Sequence, residues 1–226
     1  MSKRVLAVDV GGSHVKALVT RAKEPRRFAS GPKLSAKRAV AGVLEVAEGW
    51  RFDVVSLGVP APVRGGRVVH EPVNLGKGWV GFDYEAAFGR PTKVVNDAAM
   101  QALGSYDGGR MLFLGLGTGL GSAMIVDGIL EPMELGHLPF RKATYEDYVG
   151  ERGLERLGKK RWRRLVAEVI EDFRAALEPD YVVLGGGGNV EALGELPPGV
   201  RRGANENAFL GGFRLWDEAP ATVVPG

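Results

Sequence analysis

The sequence predicts a mixed α/β fold, and three observations carry that expectation. Short apolar runs recur along the chain, each closed by a glycine-rich or polar turn: Arg4–Val10, Asp53–Val59, Thr92–Val95, Met111–Leu114 and Tyr181–Leu184. Stretches with helical spacing alternate with them, at Ser35–Trp50, Ala98–Ser105 and Arg161–Leu177. The 226 residues include 34 glycines, too many for a plain helical protein and concentrated in turns. That length allows one large domain or two modest lobes around a real core.

In chain order, Arg4–Val10 (RVLAVDV) runs through Asp9 into the turn Gly11-Gly12-Ser13, and Val15–Thr20 follows as a second strand. This is strand–turn–strand; a dinucleotide fingerprint needs G-x-G-x-x-G opening a helix, and neither that spacing nor a Walker A run occurs. A carboxylate at a buried strand end wants a partner or a metal. Ser35 is a plausible cap for the first helix, with Ala39, Val40, Val43, Leu44 and Ala47 on one face. After Asp53–Val59, Pro60-Ala61-Pro62 and Arg64-Gly65-Gly66 make a rigid stop and a turn. Asn74 lies in the polar loop 74–79 before a short helix, Tyr84–Phe88, and bracing that turn is the commonest role for such an asparagine. The strand Thr92–Val95 ends at Asn96-Asp97, just ahead of a helix. That pair either caps the helix or displays ligand-binding side chains at a strand's carboxyl end, and both readings stand at this point.

The densest pattern is Met111–His137. A strand (Met111–Leu114), a glycine-punctuated turn (Gly115–Gly121) and a second strand (Ser122–Val126) lead to Asp127-Gly128, a hairpin signal. Glu134-Leu135-Gly136-His137 then sets a carboxylate and an imidazole three residues apart. Glycines let backbone N–H groups approach an anion, and Thr118 adds a hydroxyl, so the turn suits a phosphate or is simply a tight hairpin. Thr144–Gly150 opens a helical region in which Glu146 and Glu151 are first-turn acids. Arg161–Leu177 is the clearest helix, with Trp162, Leu165, Val166, Val169, Ile170, Phe173 and Leu177 on one face and Pro179 as its stop. Tyr181–Leu184 ends at a third glycine turn, Gly185–Gly188, and Glu191–Gly226 shows no strong period, its last residues being expected to fray.

Composition removes several classes. No cysteine occurs, so disulfides, a thiolate zinc site and a cysteine nucleophile are excluded. No apolar run reaches bilayer-spanning length, and the first residues enter a strand without a signal-peptide core, so a cytoplasmic location is expected. Net charge is only +3, but Lys159-Lys160-Arg161-Trp162-Arg163-Arg164 concentrates it. A solvated helix face, nucleic-acid contact and a polyanionic substrate each explain such a run.

Three strand-terminal glycine turns and a strand-terminal Asp97 are the parts of a phosphoryl-transfer cleft: donors for phosphates, a bridging cation, and a carboxylate to orient and deprotonate a hydroxyl. Asp9 suits Mg²⁺, directly or through water. Asn96, Glu134, His137 and Glu146 are polar groups of the kind that match several hydroxyls at once.

On these motifs the chain resembles the sugar kinases of the ROK family, within the hexokinase–actin–Hsp70 superfamily, and looks most like their polyphosphate glucokinases. The residues that carry the likeness are Asp9–Ser13, Val94–Ala99, Leu114–Gly121, Glu134–His137, Thr144–Gly150 and Val183–Gly187. Each motif alone is weak, whereas their order and spacing are specific and run to about Trp216. The resemblance implies the two-lobed, ribonuclease H-like ATPase fold with a cleft between lobes, here 1–95 and 96–226, and a homodimer. It assigns Asp97 as general base on the sugar's O6 and Asn74, Asn96, Glu134, His137 and Glu146 as sugar ligands. Asp9, Gly11, Gly12, Ser13, Lys16, Gly117, Thr118, Gly119, Gly185, Gly186 and Gly187 would hold phosphate, with Mg²⁺ at Asp9. The implied substrates are glucose with polyphosphate or ATP, and no nucleic-acid or membrane partner. Most ROK proteins follow E-x-G-H with a zinc-binding cysteine cluster; this chain has none, as the polyphosphate glucokinases do not, so no structural zinc is expected. Ser13 stands where threonine is common, and the chain is short. Rivals are an ATP-dependent ROK hexokinase taking mannose or glucosamine as well, a sugar-sensing repressor, which would need a helix-turn-helix ahead of the first strand, and a filament-forming or non-catalytic binding protein, which would not need Asp97.

Overall fold

The computed structural model describes residues 3–186, 188–204 and 206–217. The first strands, β1 (Val5–Val10), β2 (His14–Val19) and β3 (Arg26–Ala29), form an antiparallel meander. Helix α1 (Ala36–Val46) is capped by Ser35, whose hydroxyl accepts the Arg38 N–H, as expected. After it, β4 (Val54–Val59) pairs parallel to β1. A two-residue hairpin, β5 (Val63–Arg64) and β6 (Arg67–Val68), and the short α2 (Tyr84–Phe88) precede β7 (Thr92–Asn96), which completes a five-stranded sheet in the order β3-β2-β1-β4-β7. Leu6, Val8 and Val10 alternate with Ala7 and Asp9 along β1. The first set packs with α1 in one core, and the second faces the opposite side, toward the middle of the molecule.

Helix α3 (Asp97–Ser105) leads into the second half. There β8 (Arg110–Leu116), β9 (Leu120–Val126) and β10 (Ile129–Met133) make another antiparallel meander. A 3₁₀ turn (Leu135–His137), the small hairpin β11 (Pro139–Phe140) and β12 (Ala143–Thr144), α4 (Tyr145–Val149) and α5 (Glu151–Leu177) follow. Then β13 (Tyr181–Gly185), α6 (Gly188–Glu191), β14 (Val200–Arg202) and α7 (Asn207–Arg214) complete the described chain. The second sheet runs β10-β9-β8-β13-β14, the same meander-then-parallel order as the first.

Several expected boundaries move, each for a physical reason. The central glycine turn shrinks to Gly117–Gly119, because Gly115 and Gly121 pair with each other across the ladder. A Cβ on Gly121 would lie 2.8 Å from that of Ala98, so this glycine admits α3 against the sheet. The long helix starts at Glu151 and is kinked at Gly158, whose φ of 72° no other residue type adopts readily. Asp127 and Gly128, at φ 50° and 83°, form the expected tight turn between β9 and β10. Neither β3 nor α7 was expected from the sequence.

Three apolar clusters result: the first sheet against α1, the second against α5, and a middle one built on α3 with β8, β9 and α7. The α3–α7 crossing is close enough that a Cβ on Gly104 or Gly211 would collide with backbone of the other helix. The Arg214 guanidinium donates to the carbonyls of Leu103 and Tyr106 at the end of α3, which satisfies acceptors that a helix terminus leaves open. Helix α7 also reaches back to the first sheet, where the Ser56 hydroxyl donates to Gly212 O and the Trp216 indole N–H donates to Ser56 Oγ. No helix among the described residues is long and apolar enough to cross a membrane.

Candidate active site

Asn96 ends β7 and caps α3. Its Oδ1 accepts the Ala99 N–H at 3.2 Å, and its Nδ2 donates to Ala61 O at 3.2 Å. The capping role is therefore real, and it leaves one amide hydrogen for a ligand. Asp97, the first residue of the helix, accepts the Ala98 N–H at 2.9 Å. A helix start favours the carboxylate. Burial outweighs that, and the charges of Asp9 and Glu134 add to it, so the Asp97 pKa is pushed up to about 7. A carboxyl group that titrates near neutrality, next to two other acids, is suited to accept a proton from a hydroxyl. A Cβ on Gly58 would sit 3.4 Å from Asp97 Cα, so β4 needs glycine there to seat the helix.

Asp9 lies opposite Lys16 in the β1–β2 register, and both side chains are on the face turned toward α3 and α7. Burial raises the Asp9 pKa, and the Lys16 ammonium opposes that rise. An acidic and a cationic side chain thus stand side by side next to the first glycine turn, close enough for the one to feel the charge of the other.

The turns themselves converge. A Cβ on Gly12 would lie 3.7 Å from the Thr118 hydroxyl, which sets the first turn opposite the second. Gly185 pairs with Gly115 in the second sheet, and Gly186, at φ 115°, lies so close to Leu116 that a Cβ would collide with its backbone. The Asn189 amide also donates to Leu116 O at 2.9 Å, so the third turn abuts the second. Gly187 lies outside the described residues. Among the described residues, the N–H groups of Gly12, Ser13, Gly117, Thr118 and Gly119 donate to no protein acceptor. Free N–H groups on successive residues of facing turns are what an anion cradle requires.

Glu134, His137 and Glu146 also meet. His137 Nδ1 is 3.7 Å from Glu134 Oε2, and its Nε2 is 3.9 Å from Glu146 Oε1. The Ser122 hydroxyl, donating to Met133 O and accepting the Leu135 N–H, fixes the 3₁₀ turn that carries the first two. Glu146 projects from α4 over Gly119, where any Cβ would strike its carboxylate. Burial raises the Glu134 pKa, and Glu146 adds to it, while His137 and His70 oppose the rise. His70 is a neighbour the sequence did not single out; nothing in its local pattern separates it from an ordinary loop histidine. Asn74 is exposed in the adjoining loop, and among the described residues its side chain bonds to none of the others. That loop is tied by Glu71, whose carboxylate accepts the N–H groups of Gly78 and Trp79.

No protein-family model matches the sequence. A polyphosphate glucokinase of Mycobacterium tuberculosis is 30% identical over 209 residues, 80% of this chain and 76% of that protein. A glucokinase of Pyrobaculum calidifontis is 31% identical over 147 residues, which span 59% of this chain and about half (49%) of that relative. Among solved structures, an inorganic polyphosphate/ATP-glucomannokinase from Arthrobacter sp. strain KM superposes with a TM-score of 0.81 at 24% identity, covering 93% of this chain and 97% of its own. A ROK family glucokinase from Streptomyces griseus, solved with glucose and AMPPNP, gives 0.78 at 18% identity, with 94% and 99% covered. With the facing glycine turns and the carboxylate at the start of α3 already in view, this likeness over most of the chain settles its kinship: it belongs to the family of the polyphosphate glucokinases and shares its fold with a ROK family glucokinase.

Proposed function

We propose that the chain phosphorylates glucose at O6, with inorganic polyphosphate as donor and ATP as a second donor. The observation that carries this reading is Asp97, a base held near neutrality beside facing turns rich in free N–H groups. Asp97 takes the O6 proton as O6 bonds to the terminal phosphorus. The bond from that phosphorus to the rest of the donor breaks, leaving glucose 6-phosphate and a chain one phosphate shorter. Asn74, Asn96, Glu134, His137 and Glu146 bind the sugar hydroxyls, while Gly11–Ser13, Lys16, Gly117–Gly119 and Gly185–Gly187 bind phosphate oxygens. The Asp9 carboxylate, which has no ion-pair partner among the described residues, fits a Mg²⁺ that relies on one or two acids, water and phosphate, and the ion would neutralise charge on the transferred group. The chain has no cysteine for the zinc-binding cluster that most ROK proteins carry, and the reading invokes no structural zinc. The lobes are taken as 1–95 and 96–226, the assembly as a homodimer, and the location as the cytoplasm.

Polyphosphate is preferred to ATP for a physical reason. Lys159, Lys160, Arg161 and Arg164 are exposed on the helical turns just past the Gly158 kink, and among the described residues none pairs with an acid. Cations crowd a helix start there, and Lys160 and Arg164 repel at i,i+4 spacing, so a polyanion relieves an unfavourable arrangement. The test is glucose 6-phosphate formation with polyphosphate and with ATP, each with Mg²⁺. Transfer from both, more efficient from polyphosphate, is expected; no glucose-dependent transfer from either would end the reading.

A further inference from the structure

We infer that Ser30, which lies outside every motif of the sequence, is a positioning residue for the donor's phosphates. This rests on the phosphate-binding reading of the first glycine turn. In a trans peptide the N–H points opposite to the C=O, so anchoring the carbonyl ahead of a free N–H aims that N–H at an anion on the other side, whereas a carbonyl swung inward repels the anion. A Gly-Gly turn does not enforce this by itself, because glycine gives its peptide planes wide freedom. In this turn the constraint comes from one side. The Ser30 hydroxyl donates to Gly11 O at 2.5 Å, and the Ser30 N–H donates to Ser13 O at 3.0 Å. The Gly11 N–H, in turn, donates to His14 O at 2.9 Å. Both carbonyls at the ends of the turn are therefore occupied by a single residue. Among the described residues, the N–H groups of Gly12 and Ser13 have no protein acceptor, on the turn that faces Thr118.

Ser30 reaches this position because β3 pairs with β2, with Ala29 opposite His14; the next residue lands beside the turn. Its side chain is partly buried, and among the described residues its one side-chain hydrogen bond is the one to Gly11 O. It acts through Gly11 and contacts no substrate.

The experiment compares wild type with Ser30→Ala, Ser30→Thr and Thr118→Ala, measuring kcat and separate KM values for glucose, polyphosphate and ATP. Ala keeps the N–H bond and removes only the hydroxyl. Loss of one hydrogen bond predicts a rise of about fivefold in KM for both donors, with the glucose KM unchanged and Thr restoring the wild-type value. Should Ser30→Ala fold poorly, Ser30→Cys, a weak donor of similar size, is measured instead and expected to give an intermediate donor KM. An unchanged donor KM in the serine variants, while Thr118→Ala raises it, overturns the role of Ser30 and leaves the cradle standing. An unchanged donor KM in all of them overturns the cradle itself. A parallel rise in the glucose KM, or no rescue by Thr, marks a general structural effect and also rejects the proposal.

Discussion

Replacing Asp97 by Asn should cost activity and add stability, and the same physical cause demands both. The amide has the shape of the carboxylate and keeps an oxygen for the Ala98 N–H. It cannot accept the O6 proton, so turnover should fall by about 10²–10⁴ while glucose still binds. The stability gain follows from the raised pKa. Between the ordinary value of 3.8 and about 7, folded Asp97 holds a proton that the unfolded chain has released. Stability therefore falls as pH rises through that window and stays low above it. A shift of this size caps the penalty at roughly 4 kcal/mol. Asp97 keeps a solvent-facing edge, and screening there brings the expected figure to about 2 kcal/mol. For a chain of this size the variant should melt about 4–8 °C higher at about pH 8. The gap should close toward about pH 4, where both carboxyl and amide are neutral. Thermal unfolding across that range, with glucose binding measured alongside, checks it. A variant no more stable than wild type at the alkaline end, or a gap independent of pH, would refute the claim that burial and neighbouring charge press on this carboxyl.

Other outcomes follow from the same geometry. The wild-type kcat/KM should rise about tenfold per pH unit up to about pH 7 and then level off, because only ionised Asp97 accepts a proton; a flat profile would assign the base elsewhere. Neutralising Lys159, Lys160, Arg161 and Arg164 together should weaken polyphosphate use by at least about tenfold while sparing ATP, with reduced salt dependence; equal losses would remove the basic track. Arg163 is left out because its guanidinium bonds to Ala192 O. Gly119→Ala and Gly186→Ala should separate binding from folding. The first meets the movable Glu146 carboxylate and should raise the glucose KM, while the second meets Leu116 backbone at φ 115° and should cost about 1–3 kcal/mol of stability. Chelation should abolish activity without moving the melting temperature, and Mg²⁺ should restore it; a melting shift would reveal a structural metal.

The parts legible in the sequence were those with a local signature. The Asp-Gly turn, the Ser35 cap and the strand-to-helix step at Asn96-Asp97 each needed only neighbouring residues to specify them. What escaped notice depends on distant contacts. β3 (RRFA) is an edge strand, mostly exposed, so it lacks the apolar alternation that marks a buried one. α7 (NAFLGGFR) hides behind two glycines that weaken a helix in isolation but are needed where α3 and Ala7 press against it. Of the two readings of Asn96-Asp97, the structure shows the capping one: Asn96 caps the helix, which leaves Asp97 partly buried at its first position. Ser30 and His70 carry no mark of their own, since each matters only through a partner far away in the chain.

The repeated strand order of the two sheets has a consequence for selectivity. Gly12 sits in the hairpin bend of one copy of the pattern and Thr118 in the matching bend of the other. Under the proposed reading each bend supplies half of a handhold, so grip would depend on their spacing, and α7, packed closely on α3 and bonded to β4 at Ser56, is one of the contacts that tie the halves together. Residues with no chemistry of their own, such as Gly104 and Gly211, thereby become the dial on which the tightness of that grip can be tuned.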